Sequence, residues 1–158
     1  MNKALASVLV LFLSASAFAM PKVGDDALYD VTKTQGDSTV KGAYETQLVS
    51  FDSAANVFNE KITVTVNGQS QSQTQQVDPS GLLTDDQVNE AMSNCSAFGG
   101  KTDKVTVPAG TFDTCSLQTS DGSTIWISNV SFGLVKEVAT AADGSAVQFE
   151  LRSQRMGQ

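Results

Sequence analysis

Across residues 25–151 apolar and polar side chains alternate with a period of two, a pattern that commits most of this chain to β-strands with one buried face. Ala27, Tyr29 and Val31 share one face of a first strand, which Gln35-Gly36-Asp37 ends. Val40, Tyr44 and Leu48 share a face of a longer second strand. The third carries Phe58, Ile62, Val64 and Val66 on one side, with Thr63 and Thr65 opposite. Asn67-Gly68 follows directly and predicts a hairpin, because a type I′ turn needs positive φ at both central positions and these two residues tolerate it. Asp121-Gly122 and Asp143-Gly144 repeat that logic. The second introduces a strand with Val147, Phe149 and Leu151 inward and Gln148, Glu150 and Arg152 outward. Three such turns predict an antiparallel meander.

One stretch departs from the strand rhythm. Thr84-Asp85-Asp86-Gln87 fits a capping box with two acids at the positive end of a helix dipole. Val88, Ala91, Met92 and Cys95 then recur at helical spacing, and Gly99-Gly100 closes the element. Cys95 and Cys115 are the chain's two cysteines, so in an oxidising compartment they are expected to form one bridge that staples helix to sheet. A redox-active pair would use Cys-x-x-Cys spacing, which is absent.

Export follows from the amino terminus. Lys3, an apolar run over residues 4–13 and Ala17-Phe18-Ala19 form a signal-peptide pattern, with cleavage expected after Ala19 and a single antiparallel β domain over residues 20–158. The apolar run is too short for a transmembrane anchor. Loss of Lys3 leaves nine cations against 17 anions, and this acidic balance without basic clusters argues against nucleic acid as a partner. The chain has no histidine, which removes Ser-His-Asp and Cys-His catalysis and histidine-bearing metal sites.

The remaining candidate chemistry is sparse. Ser38-x-x-Lys41 matches a nucleophile spacing, but in a strand residues three apart face opposite sides. Adjacent acids at Asp25-Asp26 and Asp85-Asp86 diverge in the same way or sit at the helix start. No catalytic residue, metal site or cofactor is expected. The run at residues 69–76, all Gln, Ser and Thr, reads at least in part as a strand: a two-residue turn pairs Val66 with Gln69, Val64 with Gln71 and Ile62 with Gln73. Its glutamines either cover an apolar stripe at a sheet edge or line a polar part of a cavity. Trp126 lies between Ile125 and Ile127, so this strand is apolar on both faces: it is covered twice, or one side meets a ligand. Phe58 and Trp126 are therefore the candidate ligand-facing residues.

Val105-Thr106-Val107-Pro108-Ala109-Gly110-Thr111-Phe112, then Cys115, Trp126 and Gly133-Leu134-Val135-Lys136, resembles the signature of exported bacterial TapB-like β-proteins. The sequence departs from that pattern at Ser131-Phe132, where a further glycine is usual. The resemblance implies an envelope location and a half-open barrel of the lipoprotein-carrier type; it supplies no catalytic residue. The expected fold is thus mainly β (α+β): a curved antiparallel sheet, or half-open β-barrel, with one helix. The expected function is non-enzymatic binding in the periplasm or medium, with an apolar small molecule or lipid on the concave sheet. The alternative is a structural or protein-interaction module with an envelope protein as partner.

Overall fold

The computed structural model describes residues 21–157, so the leader and its expected cleavage after Ala19 lie outside the described residues. The strands are β1 Asp26–Gln35, β2 Ser38–Asp52, β3 Val57–Val66, β4 Gln69–Val77, β5 Lys101–Val107, β6 Gly110–Gln118, β7 Thr124–Ile127, β8 Leu134–Thr140 and β9 Ala146–Arg155, with helix α1 at Asp85–Ser93. All join one open antiparallel sheet in the order β4-β3-β2-β1-β9-β8-β7-β6-β5. This is the expected class, mainly β with a single helix among the described residues.

The alternation sorts side chains as expected. The inner face carries Ala27, Tyr29, Leu48, Phe58, Ile62, Ile125, Ile127, Val135 and Leu151, all buried. Asn67 and Gly68 have φ of 51° and 75°, and the hairpin pairs Val66 with Gln69, Val64 with Gln71 and Ile62 with Gln73. The two Asp-Gly turns differ from expectation. Gly122 and Gly144 have positive φ while Asp121 and Asp143 do not. Each aspartate instead accepts a hydrogen bond from a serine N–H two residues on, Ser123 at 3.2 Å and Ser145 at 3.0 Å. That Asx arrangement holds the aspartate at negative φ and makes each connection longer than a type I′ turn.

Three pieces of chain cover the inner face. Helix α1 starts at the capping box: Thr84 Oγ1 accepts from Gln87 N at 3.2 Å and Gln87 Oε1 accepts from Thr84 N at 2.8 Å. Its Ala91 and the following Cys95 pack on Cys115, Leu117, Ile125 and Ile127. Leu82, just before the helix, packs on Leu48 and Phe58. Finally the β5–β6 hairpin folds back, so that Val107 joins Ala27, Tyr29, Val135 and Leu151. The fold-back is fixed by Ala109 N donating to Leu151 O at 2.9 Å. It needs a change of inward parity on β6, where Thr114 and Cys115 are both buried although adjacent.

Cys95 and Cys115 are bonded, with Cα atoms 5.6 Å apart. The bridge sits where the 3-10 turn after α1 meets β6, at the centre of the cluster that docks the helix. Gly100 lies against it: a Cβ there would stand 2.8 Å from both sulfurs and 2.7 Å from Leu117 Cδ2, so no larger residue fits without moving the staple. Closing a loop with a sequence separation of 20 stabilises the fold by about 3 kcal/mol in the chain-entropy account. Replacing both cysteines by serine is expected to lower the unfolding free energy by roughly that amount, seen as a lower urea midpoint than the oxidised parent.

Candidate functional site

The two edges of the sheet are built differently. β5 carries Lys101, Asp103 and Lys104, with Lys104 paired to Asp113 at 3.2 Å, and its far end is drawn onto β9 by the hairpin fold-back. Charged residues and a covered end are how natural sheets protect an edge. β4 reads Gln-Ser-Gln-Ser-Gln-Thr-Gln-Gln-Val, without charge, proline or bulge, and most of it is exposed.

β4 is nevertheless held flat by side chains on both faces. On the outer face Ser72 shares a hydrogen bond with Thr63 at 2.9 Å, and Ser70 with Thr65 at 2.7 Å. On the inner face Gln75 Nε2 donates to Glu60 Oε2 at 2.7 Å, while Thr46 Oγ1 donates to Glu60 Oε1 at 2.5 Å. This rung ties β2, β3 and β4 together and satisfies a carboxylate that is only 8% exposed. Val77 anchors the end of the strand on the Leu48–Phe58–Leu82 cluster. The result is an ordered strand whose outward backbone donors and acceptors face solvent. Beside it the inner face of β3 leaves Val64 and Val66 exposed, and further in, on β2, Val40 is exposed as well.

Phe58 and Trp126 do not come together. Phe58 is buried on the inner face, with the Phe51 ring 4.7 Å away. Trp126 lies on the outer face, opposite Ile125 and Ile127, with Lys136 Nζ 5.7 Å from its ring centroid. Lys136 also pairs with Glu150 at 3.1 Å, so the indole forms part of a row Trp126–Lys136–Glu150 across β7, β8 and β9. A cleft bounded by Asp25, Leu83, Val88, Phe132 and Met156 holds about 10 Å³, room for one water and not for an acyl chain. Asp25 is committed elsewhere: its carboxylate accepts from Lys22 N at 2.8 Å and Gly157 N at 2.7 Å, joining the two ends of the described chain.

Among the described residues no three His, Cys, Asp or Glu side chains gather as metal ligands, and no buried side-chain polar atom lacks a partner. No described helix is long and apolar enough to cross a membrane. The segment resembling TapB-like proteins has structural tasks. Residues 107–110 make the turn that docks on β9, and Phe112 packs on the same core. Where a further glycine is usual, Phe132 itself adopts φ of 59°, a left-handed conformation rare for a bulky residue, followed by Gly133 at 72°. Phe132 stays there because its ring packs on two apolar clusters.

No family model matches the chain, and no curated protein does. Among solved structures, a candidate exported protein with a YmcC-like fold, BF2203 from Bacteroides fragilis, superposes with a TM-score of 0.50 at 12% identity, over 89% of this chain and 100% of that one. The likeness is one of fold. MucB aligns with a TM-score of 0.48 at 12% identity over 89% of this chain and 55% of MucB. The Pseudomonas aeruginosa MucA/MucB complex gives 0.45 at 12% identity, over 85% and 52%. The chain therefore spans about half the length of MucB.

The inner face also shifts its titratable groups. Burial pushes the Tyr29 phenol far above its ordinary value, and its hydroxyl donates to Leu134 O at 3.1 Å. Burial, then the charge of Glu60, pushes Tyr44 up to about 12. A phenol whose folded value is raised contributes stability at low and neutral pH that is lost as pH climbs past the unfolded value near 10. Absorbance at 295 nm should therefore show neither of the two tyrosines ionising until the fold opens. Glu137, opposite Phe149 and Ile125, is raised by burial and then by Asp121. Its protonated form suits the fold, so its contribution is present in acid and lost as pH rises through the carboxylate range. Glu137→Gln should raise the urea midpoint at pH 7, and the gain should shrink as pH falls below about 4.

Proposed function

We propose that this chain is an exported protein-interaction module of the cell envelope, whose β4 edge accepts an extended segment of a partner protein by strand addition. The observation that carries the reading is the state of that edge: ordered by hydrogen bonds on both faces, uncharged, and open along its outward backbone. An extended peptide binds such an edge through main-chain hydrogen bonds, and side-chain pockets supply selectivity. The exposed Val64 and Val66 on β3, one strand in from the edge, offer apolar surface to long side chains that reach back over β4 from the incoming strand. The opposite edge, with its lysines and covered end, lacks these properties.

Export is supported by the leader pattern at residues 1–19 and by a disulfide, a bond that forms and persists chiefly in oxidising compartments. Kinship with TapB-like proteins is supported by residues 105–112 and 133–136 and belongs to the same proposal. The reading of an apolar ligand or lipid near Phe58 and Trp126 draws no support from two rings on opposite faces of the sheet.

A photocrosslinking amino acid placed at Gln71 on β4, in cells that make and export the protein, should give protein adducts, and one at Thr102 on β5 should give none. Gln73→Lys in the Gln71 variant should weaken the adducts while leaving the melting curve nearly unchanged. Absence of any adduct at Gln71 would sink the reading.

A further inference from the structure

We infer that one strand accepted by the β4 edge is β4 of a second copy of this chain, paired antiparallel about a two-fold axis at Gln73; this rests on the interaction-module reading. The argument is symmetry of residue type. An antiparallel pair that uses all nine residues of Gln69–Val77 is centred on Gln73, which then faces its own copy. Gln71 faces Gln75, and Ser72 faces Thr74. These central meetings, over residues 71–75, join residues of one chemical kind, while towards the ends Ser70 meets Gln76 and Gln69 meets Val77. Because inner faces remain on one side across such an axis, over residues 71–75 glutamines meet glutamines on the inner face and hydroxyls meet hydroxyls on the outer face.

Primary amides suit a two-fold axis because each both donates and accepts, so like meets like without a mismatch. Charge points the same way. The chain carries a formal net charge of −7, and two copies repel through most of their surface. β4 is free of charge along its whole length; Glu60 beside it on β3 is turned inward between Thr46 and Gln75, and Asp78, just past its end, accepts hydrogen bonds from Ser80. β5, with Lys101, Asp103 and Lys104, would set lysine and aspartate in fixed positions that a two-fold partner need not match. The ordering of β4 by Thr63, Thr65 and Glu60 means that little of the edge must be fixed on association. A single strand pair is smaller than a standard interface of about 800 Å² per partner, so the dimer is weak and concentration-dependent, in the micromolar range.

Sedimentation equilibrium of the purified exported chain should show monomer and dimer exchanging as concentration rises to several hundred micromolar. Gln73→Lys and Gln73→Glu each place like charges face to face on the axis. Each should raise the dissociation constant tenfold or more with an unchanged thermal midpoint, and an equimolar mixture of the two should restore association as a mixed pair. A wild-type chain that stays monomeric throughout, or variants that associate as well as the parent, would overturn the pairing. If the wild type is monomeric yet a crosslinker at Gln71 captures a different envelope protein, the pairing falls and the interaction-module reading stands. Monomer without adducts removes both.

Discussion

One helix of nine residues cannot cover one face of a nine-stranded sheet, and most of the arrangement answers that shortage. Helix α1 closes only the region over β6 and β7, where the sulfur bridge holds it. Leu82 closes the region over β2 and β3, and the β5–β6 hairpin bends back to close β1, β8 and β9. Bulges at Leu28/Tyr29, Leu48/Ser50 and Trp126/Ile127 give the sheet the local bends that such wrapping needs. What remains uncovered is the corner formed by the ends of β2, β3 and β4, where valines stand exposed beside glutamines.

At that corner polar side chains replace apolar packing. Each neutral hydrogen bond of the Thr63–Ser72 and Thr65–Ser70 kind adds on the order of 1 kcal/mol, and Glu60 joins Thr46 and Gln75 across the three strands. These small terms matter for a strand that contributes few residues to the core. Without them Val77 alone would hold β4 to the apolar clusters, and the strand would fray from its turn.

Much of this could be read from residue order. Asn67-Gly68 fixed the hairpin and its register, Thr84 to Gln87 located the helix start, and the two cysteines announced the staple. The Gln/Ser run was legible as a strand paired with β3 because its register followed from the turn, while its place at the edge depends on the order of the whole sheet. Other features were hidden for physical reasons. Asp121 and Asp143 look like hairpin residues, yet their carboxylates engage serine N–H groups and stay at negative φ. The parity change at Thr114 and Cys115 breaks the alternation on which strand reading depends, and a hairpin fold-back leaves no local signal. Phe132 takes a left-handed conformation because distant rings and aliphatics hold it, a tertiary override of local preference. The hydroxyl pairs that make β4 rigid become visible only when β3 and β4 lie side by side.

The contrast between the two borders of the sheet has a consequence for stoichiometry. Where both rims accept strands, addition can continue and yields fibres. Here one rim carries lysines and an end covered by its own hairpin, so on the strand-addition proposal growth through the other stops after a single guest. Under the strand-addition proposal, the free rim holds one guest strand.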